Sequence, residues 1–265
     1  MTYILILEII LISTLWYAYL HKKTRISLKY LYLDNIAVIL PITLLTWWLS
    51  EILFLNGILL FILNGVLVFG ISFTYTMIRF WRTPHRKIIA KKGEIVSPAD
   101  GNVIYIQKVE KGQVPVSIKK GLEAKIEEIT QTDLLNQGGW LIGINMTPFD
   151  VHKNCAPIGG EIVLNKHING EFLSLKEPRA IIRNERNTLV IKTEKNEFFG
   201  IVQTSSKLVK RIDSYVKVGQ KIKVGDWFGM IRFGSQVDII IPSEYKINVE
   251  YGQQLYAGES IIANK

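Results

Sequence analysis

Three apolar runs fill the first part of the chain, and they narrow its possible folds more than any other feature of the sequence. Tyr3 to Leu20, Ile36 to about Ser50 and Ile52 to about Tyr75 rise about 1.5 Å per residue as helices, enough to cross most or all of a hydrocarbon layer roughly 30 Å thick. Hydrophobic residues make up 48% of the 265, a high share for a soluble protein, and nearly all of the excess lies before Phe80. Glu8 would be costly at a bilayer centre but sits near the end of its run. The second run is short, so it and the third also read as a re-entrant or tilted hairpin. A removable signal peptide is disfavoured, because no basic segment precedes the first run and no small-residue cleavage site follows it.

Charge sets an expected orientation. His21-Lys22-Lys23-Thr24-Arg25 and Lys29 follow the first run, and Arg79, Arg82, Arg86, Lys87, Lys91 and Lys92 follow the third, while the link around Glu51 has no basic residue. With three spans, the positive-inside rule puts both basic stretches and the C-terminal domain in the cytoplasm and the N-terminus outside. Trp47, Trp48, Tyr75 and Trp81 lie near span ends, where aromatic rings favour the interface. The net charge of +9 is explained better by anionic lipid headgroups than by nucleic acid, since much of it flanks the apolar runs. The single Cys155 excludes an intramolecular disulfide and a multi-cysteine zinc site, and a buried small side chain is its simplest role.

From Lys91 the texture changes to short β-branched runs broken by Gly, Pro, Asn and Asp. Val103 to Ile106, Trp140 to Met146, Glu161 to Leu164, Thr188 to Lys192, Phe198 to Gln203 and Val237 to Pro242 predict an antiparallel, all-β domain, a sandwich or flattened barrel. The expected organisation is a membrane anchor of two to three hydrophobic helices over residues 1–78, then a β-rich catalytic domain over residues 79–265. Gly121 to Gly138 reads as a loop or an excursion over a site, and Lys207 to Ile212 as a short helix or bend. The glycine-punctuated stretch Val218 to Asp226 resembles a carrier-domain hammerhead, but no lysine has the methionine-flanked setting that a carrier needs.

Three segments carry chemistry. Val96-Ser97-Pro98-Ala99-Asp100-Gly101 supplies an acid, Asn145-Met146-Thr147-Pro148-Phe149-Asp150-Val151-His152 an imidazole, and Arg232-Phe233-Gly234-Ser235-Gln236-Val237 a hydroxyl directly after a glycine. Singly each has a plain reading: Asp100-Gly101 as a turn, His152 as a loop histidine satisfying a hydrogen bond, Gly234-Ser235 as a bulge. Together they resemble the phosphatidylserine decarboxylase proenzyme family. The resemblance covers about Phe80 to Pro242 and includes Phe80-Trp81-Arg82-Thr83-Pro84-His85-Arg86, Asn145 to Pro157, Arg183-Asn184-Glu185-Arg186-Asn187 and Gly229-Met230-Ile231-Arg232-Phe233-Gly234-Ser235. Gln236 departs from it, since Arg, Thr or Ser is more familiar there. The Arg-Phe-Gly-Ser setting and the length look most like the short bacterial and archaeal branch, which includes archaetidylserine decarboxylases.

The resemblance implies a self-processing triad of Asp100, His152 and Ser235. Ser235 attacks the carbonyl of Gly234, and the resulting ester eliminates to leave a covalent pyruvoyl group on a small chain of residues 235–265, still associated with residues 1–234. Gly234 suits the attack because it has no side chain in the way. His152 serves as base and Asp100 holds its tautomer. The pyruvoyl carbonyl forms a Schiff base with the substrate amine and serves as the electron sink for loss of carbon dioxide from phosphatidylserine, giving phosphatidylethanolamine at the cytoplasmic membrane. No metal is implied, and a homo-oligomer is compatible with the sequence. Asn184, Glu185 and Arg186 read more simply as a paired charge at a turn than as headgroup ligands, and His85 and His167 have no motif partner. Two rivals stay open. One is a non-catalytic, membrane-anchored β domain that binds lipid headgroups or a partner protein. The other is a serine hydrolase using the same triad, weakened by the absence of a Gly-x-Ser-x-Gly elbow.

Overall fold

A computed structural model describes residues 2–24, 28–52, 57–109, 116–119, 122–124, 129–130, 132–133, 135, 138–206, 212–232 and 235–265. The chain divides into two units, residues 1–80 and 81–265.

The first unit is built from helices α1 (Thr2–Thr24), α2 (Leu28–Ile52) and α3 (Gly57–Trp81), all long and apolar enough to cross a membrane. The second exceeds the short run read from sequence. The stretch from Leu28 continues the helix ahead of Ile36, so α2 spans 25 residues and has crossing length of its own. Large apolar side chains such as Leu7, Leu15, Leu40, Leu44, Phe61 and Phe69 are exposed, a surface suited to lipid. Polar groups turn inward instead. Asn64 of α3 donates to the Glu8 carboxylate of α1 at 3.1 Å and accepts from the Thr46 hydroxyl of α2 at 2.6 Å. One oxygen of the Glu8 carboxylate is thus satisfied by a neighbouring helix, which offsets part of the cost of its burial. Toward the opposite ends of the helices, Arg79 and Asp34 form an ion pair at 2.6 Å.

In the second unit the strands are β1 (Glu94–Val96), β2 (Gly101–Val109), β3 (Val116–Lys119), β4 (Leu122–Ala124), β5 (Gly139–Met146) and β6 (Lys153–Cys155). Then come β7 (Gly160–Ile168), the short helix α4 (Ala180–Arg183), β8 (Arg186–Lys192), β9 (Phe198–Thr204), β10 (Ile212–Ser214), β11 (Lys221–Ile222) and β12 (Trp227–Ile231). The last are β13 (Ser235–Ile241), β14 (Lys246–Ile247), β15 (Gln254–Leu255) and β16 (Ile261–Asn264). Eight strands form one curled antiparallel half-barrel in the order β11-β7-β8-β9-β13-β5-β2-β15. Each apolar run named from sequence is one of its strands. Half of Gly121 to Gly138, where β4 lies, and all of Lys207 to Ile212 except Ile212 fall outside the described residues.

Alternation along the strands sends successive side chains to opposite faces, and both faces are covered. Ile142, Ile144, Leu189, Ile191, Phe199, Ile201, Val237, Ile239 and Ile241 pack on one side. Leu141, Val190, Val202 and Ile240 pack on the other with Ile129 and Leu135. Two buried faces explain why the last part of β13, Ile239-Ile240-Ile241, is continuously apolar rather than alternating.

Topology decides where the three motifs meet. β5 lies between β2 and β13, with Asn145 paired to both Asn102 and Gln236. Antiparallel pairing therefore brings the start of β2, the end of β5 and the start of β13 to one end of the sheet. Gly101 permits the close approach there. Its φ is +145°, and a Cβ would overlap the carbonyl oxygen of Asn145. We predict that Gly101→Ala destabilises the protein by about 2–4 kcal/mol through backbone strain and overlap, read as an earlier unfolding midpoint of detergent-solubilised protein; an unchanged midpoint would contradict this account.

Candidate active site

The approach to the site runs through residues 147–152. Asp150 shapes this loop. Its Oδ2 accepts from the backbone N–H of Thr147 at 2.7 Å and from the Thr147 hydroxyl at 2.8 Å, while Oδ1 accepts from Gln254 at 3.1 Å. The turn leaves the Asp150 carbonyl 2.9 Å from Nδ1 of His152. A carbonyl only accepts, so Nδ1 carries the hydrogen and Nε2 keeps its lone pair. His152 is fully buried, and burial lowers its pKa to about 4, leaving it neutral at physiological pH. Its backbone carbonyl accepts from Ile231 of β12, the strand that leads to Ser235.

Asp100 is buried as well. Arg86 Nη2 donates to its two oxygens at 2.7 and 3.0 Å, and the backbone N–H groups of Ala257 and Val151 donate at 2.7 and 3.3 Å. Burial pushes the carboxyl above the ordinary aspartate range, against the pull of Arg86 and these amides. The sequence reading had Asp100 holding the histidine tautomer, but Nδ1 is met by the Asp150 carbonyl. Asp100 acts one peptide away, gripping the amide of Val151 next to His152.

Of Ser235 the structure describes the backbone, which opens β13 in register with Met146. Gly234 lies outside the described residues. The chain ahead of it is anchored at Arg232, whose guanidinium binds Asp213 at 2.8 Å and lies 5.4 Å from the ring centre of Trp81. The three predicted segments thus share one end of the sheet.

Sequence reasoning gave no role to Arg86 or to the Asp150 carboxylate. Both lie inside strings that had been singled out, but their partners are 14 and 104 residues away, and no local spacing discloses such pairings. Arg82, a flanking charge in the same string as Arg86, donates to the Phe149 carbonyl at 2.9 Å and supports the same loop. Glu185 and Arg186 are buried rather than a surface pair at a turn, because Arg186 opens β8 at this same end of the sheet. Glu185 lies 3.3 Å from His167 Nε2, and Arg186 donates to the Asn184 carbonyl at 3.1 Å. Cys155 is buried with its thiol donating toward the Ser97 carbonyl at 3.4 Å, and burial raises its pKa.

A family model described as phosphatidylserine decarboxylase matches residues 73–263. The chain is 40% identical over 186 residues to a Methanocaldococcus jannaschii protein named "Putative archaetidylserine decarboxylase proenzyme", covering 70% of this chain and 88% of that one. It is 31% identical over 225 residues to the phosphatidylserine decarboxylase proenzyme of Cytophaga hutchinsonii, covering 82% and 93%. The corresponding protein of Nitrosomonas europaea is 32% identical over 187 residues, covering 71% and 77%. On a match that takes in all three motif segments and nearly the whole β unit, this chain belongs to the phosphatidylserine decarboxylase family.

Proposed function

We propose that the chain is a proenzyme that cuts itself between Gly234 and Ser235, gains a pyruvoyl group, and decarboxylates phosphatidylserine to phosphatidylethanolamine and carbon dioxide. The observation that supports this reading is that His152, buried and neutral, bonds through its backbone carbonyl to Ile231 at the end of β12, while Met146 at the end of β5 stands in register with Ser235. Serine is a weak nucleophile and needs a base within a site that excludes competing water.

His152 Nε2 takes the proton of the Ser235 hydroxyl as its oxygen adds to the Gly234 carbonyl carbon. The peptide C–N bond breaks, the freed amine takes a proton, and an ester joins Gly234 to the serine oxygen. Removal of the α-proton of residue 235 expels the Gly234 carboxylate and leaves dehydroalanine. Water then hydrolyses its imine tautomer, releasing ammonia and leaving the pyruvoyl group on the nitrogen of Gln236. The Asp150 carbonyl holds the imidazole in the tautomer that this transfer needs, and the Asp100–Arg86 pair fixes the Val151 backbone beside it. Residues at the start of β13 fit the group, since the residue that becomes it already opens a strand in the sheet.

That group supplies an electron-withdrawing carbonyl for the pair left at the substrate α-carbon when carbon dioxide departs. We assign to His152 a second task in the mature enzyme: either relaying to that carbon a proton that Nε2 first takes from water, since its resting form is neutral, or steering the loss of the carboxylate. The three helices would keep the domain at the cytoplasmic face, so that the headgroup enters the site while the acyl chains remain in the bilayer. Archaetidylserine presents the same headgroup, and assays with both lipids would assign the preference.

The intact mass of purified protein under denaturing conditions tests the first step. Wild type is expected as two fragments, residues 1–234 and a pyruvoyl-blocked 235–265, and Ser235→Ala as one uncut chain. Uncut wild type in membrane-mimetic conditions would favour a non-catalytic lipid- or partner-binding domain. The pH dependence follows from His152, which must be neutral to accept a proton and stays so until about pH 4. Cleavage of freshly folded precursor should therefore hold its rate as pH falls from 8 to about 5 and drop only near pH 4. A decline centred near pH 6.5, the value of an unperturbed imidazole, would sink the assignment of His152 as a desolvated base.

A further inference from the structure

Gln236, the residue that departs from the more familiar family pattern, has a buried side chain with specific partners. Its Nε2 donates to the Tyr105 hydroxyl oxygen at 2.8 Å and to the two oxygens of Asp238 at 2.9 and 3.1 Å. The Tyr105 hydroxyl in turn donates to Asp238. All three lie on one face of the sheet, where the neighbouring side chains Leu141, Val202 and Ile240 are apolar. An aliphatic residue at 236 would suit such surroundings. Burying a carboxylate and an amide there has a desolvation cost that hydrogen bonding only offsets, so the cluster is better explained by what it fixes in place than by net stability.

It fixes the second residue after the cut, whose nitrogen would carry the residue made from Ser235. Before cleavage Ser235 is restrained from both sides, by Arg232 with its partners upstream and by Gln236 downstream. After cleavage the upstream restraint is gone. The converted residue then hangs from the nitrogen of Gln236, its backbone in register with Met146. Gln236 itself is paired on both sides, to Asn145 of β5 and Thr204 of β9, and its side chain adds a third tether.

We propose that Gln236, through Asp238 and Tyr105, is a positioning residue that clamps the new end of the small fragment and keeps the group made from Ser235 in line with His152. This rests on the self-processing reading above. It predicts a separation of effects, because the clamp matters little while the chain is continuous and much once it is cut.

The test compares wild type, Gln236→Ala, Gln236→Arg and Tyr105→Phe, purified whole in detergent. Three quantities are read: completeness of cleavage by intact mass, kcat and KM on phosphatidylserine in mixed micelles, and the urea concentration at which fragment 235–265 leaves the large fragment. Gln236→Ala is expected to cleave as fully as wild type with little change in KM, but to lose roughly 10- to 100-fold in kcat, as a small misplacement of a reacting group does. Its small fragment should leave at lower urea. Gln236→Arg, which can form an ion pair with Asp238, should recover most of both losses. Tyr105→Phe should lie between wild type and Gln236→Ala. Fully cleaved Gln236→Ala with wild-type kcat and fragment retention overturns the proposal. If that variant does not fold, Tyr105→Phe decides in its place, and wild-type behaviour there overturns it equally. Uncut wild type overturns the self-processing reading and this one together, an outcome told apart because the failure appears before any variant is compared.

Discussion

The buried carboxylate of Asp100 ties together four stretches that are distant in sequence. It takes Arg86 from the segment after α3, the amide of Val151 from the loop that carries His152, and the amide of Ala257 from near the C-terminus, while its own peptide leads into Gly101 and β2. Removing either member of a buried ion pair leaves the other as an uncompensated charge, at a cost of about 3–5 kcal/mol. Arg86 and Asp100 are therefore a unit. Arg86 also reaches Glu259 at 2.8 Å, so the same guanidinium touches the last part of the chain twice, through Asp100 to Ala257 and directly. What stabilises this corner of the fold is also what sets the backbone beside the imidazole.

Burial then does the chemical tuning. The low dielectric that keeps His152 neutral also raises the pKa of Asp100 and Asp150, the second partly through the charge of the first. The two carboxylates are occupied with different backbone and side-chain donors: Arg86 and two amides for Asp100, Thr147 and Gln254 for Asp150. Neither is aimed at Nδ1 of His152, which receives a neutral carbonyl instead. A carbonyl fixes the tautomer without stabilising the imidazolium as strongly as a carboxylate would. This agrees with the depressed pKa and with an imidazole that stays neutral over the physiological range.

Much of the molecule was legible in the sequence because its signals are local. Apolar length gave the helices, and short β-branched runs between turn residues gave the six main strands. The motif segments named Asp100, His152 and Ser235, and the sheet brings their backbones to one end. What escaped was nonlocal. The order β9-β13-β5-β2 leaves no periodic trace, so nothing in the sequence says that Asn145 stands between Asn102 and Gln236. The partner of Nδ1 was assigned by analogy of roles, whereas a tight turn built by Asp150 and Thr147 presents the nearer carbonyl. Length misled in α2, where the apolar run was counted from Ile36 although Leu28 to Asn35 belongs to the same helix, its Asp34 paired with Arg79.

The position of β13 bears on why a cut at its first residue need not take the domain apart. β13 is an interior strand, bonded to β9 on one side and β5 on the other, and Val237, Ile239 and Ile241 lie in the larger apolar core. The strands that follow interleave with earlier ones: β15 with β2, and β16 with β1. Cleavage between residues 234 and 235 would break one connection and remove no pair from these ladders. Separation of the fragments would expose the central strand of an eight-stranded sheet and orphan its backbone donors and acceptors, a far larger loss than the gain in chain freedom at one loop. A reactive group made at a new chain end would need that end held inside the structure, and a cut at the mouth of an interior strand would meet that requirement.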